Sequence, residues 1–364
     1  MSFEQASVFL GISGGVDSSV AALLLTRAGY RVHGVHLRMW SSYGQVAKAE
    51  QAIERFEAVC RLLGVSYEVL DYRVSFQSLV IEHYFAELRA GRTPNPCVRC
   101  NRLIKWGMLL DYARSKGADY LSSGHYAILK RDSAGVMRLY KAKDPGKDQS
   151  YFLSALSQET FRYMLFPLGD YLKGEVRDIA IGAGLPDFSE VESQDLCFLE
   201  AGGQEEFLKR YAPNMLLPGP IRNLAGDLLG KHIGLPLYTI GQRKGIQVAA
   251  GEPYYVVAKD VASNTLIVDI SARLYRDTIY ASDVNWVSGS AADLSKKYQV
   301  KIRSGARPVD CCCEITRKGD IIVKLGKPLR DITAGQRLVI YDGELCLGSA
   351  EIVRAADNQC VEAD

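Results

Sequence analysis

The sequence predicts an α/β domain on a parallel sheet, followed by a smaller all-β region. Three observations carry this. Up to about Gly202, strand-like runs alternate with amphipathic runs, which implies a parallel sheet covered on both faces. After Gly202 that alternation stops. From about Leu274, short strand-like runs are separated by turns such as Lys318-Gly319-Asp320 and Asp342-Gly343.

The elements follow in order. SVFLGI, with Val8, Phe9, Leu10 and Ile12, reads as a buried first strand. VDSSVAALLLTRAG carries Val16, Val20, Leu23 and Leu24 at helical spacing, and Gly29 is placed to end that helix. YRVHGVHLRMW is a second strand. AKAEQAIERFEAVCRLLG is an amphipathic helix, with Ile53, Phe56, Cys60 and Leu63 on one face. SYEVLDY is a third strand, and Phe76, Val80, Tyr84 and Leu88 recur every four residues in the next helix. A Pro-rich loop leads to a helix at IKWGMLLDYARSKG, then a strand at ADYLSSGHY. QEEFLKRYAP is a short helix, and the stretch to KGIQV is rich in Gly and Pro. YQVKIRS, CCCEIT, DIIVKLG, QRLVIYD and LCLGSAEIV read as a small antiparallel sheet or barrel. The boundaries give domains at 1–201, 202–273 and 274–364.

Composition narrows the class. Apolar content of 48% and charged content of 24% suit a soluble globular protein. A formal charge of +2 gives no global attraction for nucleic acid, so local patches must meet any such partner. MSFEQASVFLG lacks the basic start and apolar core of a signal peptide. No apolar run approaches the roughly 20 residues of a membrane helix. The cytoplasm is the expected compartment. The nine cysteines therefore read as reduced, reactive or metal-binding thiols before disulfides.

The first strand runs into GISGGVDSSVAALLL. A helix start offers unpaired amides and a positive dipole end to anions. Gly14 and Gly15 let the backbone approach phosphate oxygens, and Ser13, Ser18 and Ser19 add hydroxyls. Asp17 is placed to orient the loop or help hold magnesium. The Gly-Lys-Ser/Thr ending of a Walker loop is missing. SGGVDSS resembles the pyrophosphatase-type loop of the adenine nucleotide alpha-hydrolase-like enzymes. Those enzymes attach AMP to a substrate oxygen and release pyrophosphate, and a nucleophile then displaces AMP. Nitrogen- and sulfur-transferring members share the loop, so the cysteines must decide between them.

GRTPNPCVRCNRLIKWG carries Cys97 and Cys100. Cys100 precedes the expected helix start, and Arg99, Arg102 and Lys105 lie near it, so a thiolate is expected there. Cys197 sits among Glu192, Asp195 and Glu200, which disfavour thiolate. Cys60, Cys346 and Cys360 read as small apolar residues. Cys311, Cys312 and Cys313 fall on a strand, whose alternating faces keep the three from converging on one ion.

TPNPCVRCN, SGHYA, KDQSYFL, SQDLCFL, GLPLYTIGQRKG and GELCLG, in this order, resemble the motif series of the bacterial tRNA-specific 2-thiouridylases. The series spans nearly the whole chain. The resemblance implies an N-terminal nucleotide domain, a small central domain and a C-terminal antiparallel β-barrel that contacts tRNA. It implies ATP-dependent sulfur transfer to C2 of the wobble uridine of tRNA, through uridine adenylated on O2, with ATP and Mg2+. Cys197 would carry a persulfide from a sulfur donor, which could be a relay protein, a cysteine desulfurase or sulfide. Cys100 would be the second catalytic thiol, with Asp17 serving the adenylation.

By the same resemblance, Gly11, Ile12, Ser13, Gly14, Gly15, Val16, Asp17, Ser18, Leu37 and Gly124 would bind ATP. Asn95, Pro96 and Cys97 would touch the target base. His125, Lys147, Asp148, Gln149, Arg303, Ser304 and Gln336 would meet tRNA. Arg243 and Lys244 add local positive charge for phosphates. Lys296 and Lys297 read as a solvated face.

The sequence departs from the family pattern in three places. Leu37 stands where the family often has Met. Arg303-Ser304-Gly305 replaces an Arg-Tyr-Arg-like segment. Cys97 stands where the family commonly has Asp, and this creates a C-x-x-C. Cys97, Cys100 and Cys197 together resemble the three-thiolate holder of a four-iron cluster in other tRNA thiolation enzymes. Persulfide relay and cluster-bound sulfide are both open. Two other readings remain: a different AMP-forming synthetase, and a non-catalytic RNA-binding protein.

Overall fold

The computed structural model describes residues 5–40, 46–186, 196–199, 202–248 and 252–356. Glu192, Asp195, Glu200 and Cys360 lie outside them.

The N-terminal strands are β1 (Ser7–Gly11), β2 (Arg31–Arg38), β3 (Ser66–Asp71) and β4 (Tyr120–Ser123), then a hairpin of β5 (Ile128–Arg131) and β6 (Met137–Tyr140), and β7 (Met164–Leu165). The first sheet runs β3-β2-β1-β4-β7 and is parallel throughout. Strand order reverses between β1 and β4. In open parallel sheets ligands bind in the crevice beyond the carboxyl ends at such a point. The β1 and β2 sequences form strands because apolar residues fill both sheet faces. Val8 and Leu10 pack toward the Val16–Arg27 and Val46–Leu63 helices, and Phe9 packs toward Leu109 and Leu121.

One helix differs from the sequence expectation. It begins at Pro96, not at Ile104, and runs through 96–115. Pro is tolerated in the first turn because its missing N–H is one no helix pairs. Asn95 caps it, its Oδ1 accepting from the Val98 amide at 3.3 Å. Cys97 and Cys100 therefore lie inside the first turns. Residues 101–108 form a π segment, in which the Leu109 amide reaches the Ile104 carbonyl.

The Gly- and Pro-rich stretch to KGIQV holds β8 (Gly219–Arg222) and β9 (Leu228–His232). With β10 (Tyr255–Asp260) and β11 (Thr265–Asp269) they make a sheet in the order β10-β11-β8-β9. Strands this short, one of them holding Pro220, carry too few alternating residues to show a period. They form through pairing across the sheet and a small core on Val256, Leu266 and Val268.

The last region is a closed barrel of β12 (Arg276–Trp286), β13 (Tyr298–Lys301), β14 (Val309–Ile315), β15 (Ile321–Leu329), β16 (Arg337–Asp342) and β17 (Leu345–Ala356). The order is β12-β15-β14-β13-β16-β17, and β12 pairs with β17 to close it. Cys311 and Cys313 face its interior and Cys312 faces out, as alternation requires. Strand β17 also pairs with β6, so the N-terminal hairpin extends the barrel sheet. Val339, Tyr341 and Cys346 share one apolar cluster with Phe9, Trp106 and Leu153. The barrel is thus docked by both hydrogen bonds and buried surface. No helix among the described residues is long and apolar enough to cross a membrane.

Candidate active site

A cavity of about 300 Å³ opens where β1 and β4 diverge. Gly11, Ile12, Ser13, Asp17 and Ser18 line one side, and Leu37 with His36 lines another. Gly14, Gly15 and Val16 build the turn itself. Gly14 has φ +80°, and a Cβ there would meet the Ala52 carbonyl oxygen at 2.5 Å. Ser18 Oγ accepts from the Ser13 amide at 3.2 Å and donates to the Gly15 carbonyl at 3.1 Å. The loop is therefore held in shape by its own hydroxyls, with amides free for an anion.

Asp17 is braced by residues the sequence did not point to. Lys173, on the Lys173–Gly182 helix, donates Nζ to both carboxylate oxygens at 2.7 and 2.8 Å. The Tyr126 hydroxyl donates to Asp17 Oδ1 at 2.6 Å. Lys173 is buried, which is rare for lysine without a partner. Loop orientation is the role these contacts show directly. One carboxylate plus phosphate oxygens is also an ordinary donor set for magnesium, so Asp17 would share its oxygens between Lys173 and that ion.

From β4 come Gly124 and His125. A Cβ on Gly124 would lie 2.7 Å from the Ser18 amide nitrogen, so Gly lets the two loops touch. His125 lines the same cavity beside Gly124. Its Nδ1 lies 2.6 Å from Ser123 Oγ, and its ring packs on Trp106 and Phe166. Burial, then the Lys105 charge, pushes it down to about 3, so the imidazole is neutral. Gln149 also lines the cavity, its Oε1 accepting from the Tyr126 amide. Asp148, two residues before the next short helix begins to turn, accepts from the Ser150 amide and hydroxyl. The Lys147 amide donates to the Asp144 carbonyl.

The 96–115 helix closes the cavity with Lys105 and Trp106. In an α-helix, positions five apart point away from each other. A π segment closed by i→i+5 bonds brings them under one another. Lys105 lies within electrostatic reach of Cys100. Trp106 is 2% exposed, and its Nε1 has no hydrogen-bond partner among the described residues. A buried donor left unpaired costs about 1–3 kcal/mol, which a ligand acceptor would recover.

Cys197 arrives from a remote part of the chain. Phe198 anchors it: the ring is 1% exposed and packs 5.3 Å from Tyr84, 6.1 Å from Phe76 and 5.0 Å from Phe207. That cluster includes Cys100 and Ile104. The three thiols and Lys105 lie within electrostatic reach of one another. Cys100 also sits 3.9 Å from Met39 Sδ, and Met39 lines the cavity at the glycine turn.

The expected thiolate at Cys100 is corrected by this geometry. Cys100 lies inside the helix, in an apolar cluster, and burial pushes it up to about 12. Burial lifts Cys97 to about 11, and the Cys197 charge adds to this. Cys197 is raised by burial of its sulfur, although the residue as a whole is exposed. In each case Lys105 works the other way. Among the described residues, no three His, Cys, Asp or Glu side chains are arranged to hold a metal ion.

The remaining expected residues are scattered. Arg303 and Ser304 are exposed on the barrel, and Arg303 lies 3.8 Å from Asp331. Neither lines the nucleotide cavity. Gln336 donates Nε2 to the carbonyls of Thr93 and Pro94, so the barrel steadies the loop before Asn95 and Pro96. Lys296 is exposed and pairs loosely with Asp293.

Residues 6–201 match the tRNA methyl transferase HUP domain, 205–269 its PRC-barrel domain, and 276–352 the aminomethyltransferase beta-barrel domain. The chain is similar to the tRNA-specific 2-thiouridylase MnmA of Chloroflexus aggregans, with 42% identity over 96% of this chain and 99% of that protein. The protein of the same name from Roseiflexus castenholzii is 40% identical over 96% of this chain and all of its own length. A solved U34-tRNA thiolase, NcsA of Methanococcus maripaludis, is 17% identical with a TM-score of 0.35, over 57% of this chain and 67% of that one. That likeness is too slight to carry its iron–sulfur cluster across. The full-length matches at about 40% identity decide the matter: the chain belongs to the tRNA-specific 2-thiouridylase family.

Proposed function

We propose that this chain uses ATP to place sulfur on C2 of the wobble uridine of tRNA, and that it does so by persulfide relay in the cytoplasm. The observation that carries the reading is the meeting of two thiols from remote segments beside a pyrophosphatase-type loop at the switch point of a parallel sheet.

The uridine O2 attacks the α-phosphate and pyrophosphate leaves. Amides of the Ser13–Ser18 turn would hold the departing charge, with Asp17 and Lys173 fixing the loop. A bound magnesium would neutralise phosphate charge. The terminal sulfur of a Cys197 persulfide then adds to C2. Cys100, deprotonated with Lys105 alongside, attacks Cys197 Sγ. A Cys100–Cys197 disulfide forms, the outer sulfur stays on C2, and AMP leaves with O2. The two electrons that reduce that sulfur come from the two thiols, so an external thiol must reopen the disulfide each turn. The neutral His125 and the Trp106 N–H are suited to hydrogen-bond the adenylated base. The sulfur source is a relay protein or a cysteine desulfurase that passes on a persulfide sulfur, or sulfide, which opens the Cys100–Cys197 disulfide to leave a persulfide on Cys197 and a thiol on Cys100.

Mass spectrometry of tRNA nucleosides after incubation with ATP, a persulfide-sulfur donor and a reducing thiol tests the reading. The expected product is 2-thiouridine in equal amount to pyrophosphate. Pyrophosphate release driven by ammonia and a small acid, without tRNA, would replace it with a synthetase.

The C-x-x-C spacing and the mutual reach of the thiols favour a second reading, an iron–sulfur cluster on Cys97, Cys100 and Cys197. Anaerobic purification with iron and sulfide analysis separates the two. Relay predicts an iron-free, colourless, active enzyme and a Cys97→Asp variant that still turns over. A cluster predicts that iron and activity are lost together.

A further inference from the structure

His36 lines the cavity at the glycine turn from β2, beside Leu37, and takes no part in the sulfur chemistry. Successive residues of a strand point to opposite faces. Val35 and Leu37 pack on the face that holds Trp106 and Leu109, and Leu37 also reaches the cluster around Cys100. His36 turns the other way, its ring 5.4 Å from Phe56 on the Val46–Leu63 helix. It therefore meets the cavity from the face away from the thiols.

Its hydrogen bonding fixes the tautomer. His36 Nδ1 lies 2.9 Å from the Ile12 carbonyl oxygen. A carbonyl only accepts, so Nδ1 carries the proton. The Ile12 amide in turn donates to the Val35 carbonyl. The two bonds tie down the residue that leads into the phosphate turn and hold the ring in one orientation. Burial pushes the imidazole toward neutrality; the Ile12 bond opposes this and the Arg38 charge assists it. Nε2 is thus a bare lone pair, and among the described residues it has no hydrogen-bond partner. The other tautomer would set Nδ1 and the Ile12 oxygen against each other as two acceptors, so the ring is held as an acceptor toward the cavity.

A fixed neutral acceptor is a poor match for phosphate or carboxylate, which accept as well. It suits an N–H donor. Phosphate belongs at the amides of the glycine turn, so the nucleoside must extend from there along the cavity. The wall that β2 and the residues after it offer is Leu37, Met39 and His36, apolar apart from that acceptor. Adenine is an apolar plate with an amino donor at C6. Hypoxanthine and guanine carry a carbonyl there, which would face Nε2 acceptor to acceptor. We propose that His36 selects adenine among the purine triphosphates, with Nε2 accepting a hydrogen bond from the 6-amino group. The inference rests on the ATP reading above and adds base selection to it. His125, across β1 from His36 in the sheet order, is left to the target base.

The test is equilibrium binding of the full-length protein, without tRNA, to ATP, purine riboside triphosphate, ITP and 2′-deoxy-ATP. Purine riboside triphosphate lacks only the amino group, and wild type should bind it about tenfold more weakly than ATP. ITP, with a carbonyl at C6, should bind more weakly still. His36→Leu should bring ATP and purine riboside triphosphate to equal affinity. His36→Gln, whose amide oxygen can stand in for Nε2, should keep part of the preference. A histidine that only supports the turn would weaken all four nucleotides together in His36→Leu and leave their ratios unmoved, which overturns the proposal. So does a wild type that binds ATP and purine riboside triphosphate alike, a result that needs no variant. Discrimination lost in His36→Leu against 2′-deoxy-ATP alone would give the histidine to the ribose and overturn the base assignment. If ATP is preferred as expected yet no tRNA is thiolated, the functional reading fails and the base selection stands.

Discussion

The phosphate loop and the cysteine pair sit a few side chains apart and are held by opposite means. Around the loop the anchors are polar: Lys173 and Tyr126 on Asp17, and Ser18 on Ser13 and Gly15. Around Cys100 and Cys197 they are apolar: Phe76, Tyr84, Phe198 and Phe207. The difference follows from the chemistry each must do. Phosphate charge needs dipoles fixed beforehand. A thiol stored in apolar surroundings stays protonated and resists oxidation until a cation and a substrate reach it. Lys105 is the element common to both, since it lines the nucleotide cavity and opposes the thiols' upward shifts.

Four tests would break or sharpen this contrast. The largest effect is expected from Cys100→Ser and Cys197→Ser. Each should end 2-thiouridine formation while ATP binding persists, as nucleoside analysis and ligand titration would show. Full residual activity in either would remove that thiol from the scheme. Asp17→Ala should come next, with pyrophosphate release down about 10²–10³-fold at unchanged tRNA affinity. Lys173→Met should follow it in direction. Normal release in both would mean the polar brace is only structural.

Phe198→Ala acts on the apolar half. It should cost about 3–5 kcal/mol if felt by the whole fold. A local effect would show as thiolation lost with the urea midpoint unmoved. In either case thiolation should fall more than pyrophosphate release. Equal losses would contradict a tether specific to Cys197.

The mildest test is a pH series of Cys100 alkylation. The reactive form is the thiolate, and burial lifts this thiol to about 12 from an ordinary 9.0. The rate should climb about tenfold per pH unit and pass pH 9 without levelling. Lys105→Met removes the opposing cation and should slow the reaction at each pH. A plateau near 9 would place Cys100 in water.

Much of this was legible in the sequence, for identifiable reasons. β1 to β4 carry apolar runs between strong helix signals, and the glycine loop is a local motif. The family resemblance supplied the thiol pair. The central strands carried no periodic signal, and the missed start at Pro96 changed the environment assigned to Cys100. Lys173 could not be found locally, because it lies 156 positions from Asp17 along the chain. Lys105 was in view as a basic neighbour of Cys100. The π segment that carries it is announced by no spacing rule.

The most direct test of the relay is a single turnover with enzyme carrying a persulfide on Cys197. ATP and tRNA are added without reductant, and both the tRNA and the peptides are analysed by mass. The account predicts one Cys100–Cys197 disulfide for each 2-thiouridine made. Thiouridine formed while both cysteines remain as free thiols would contradict it.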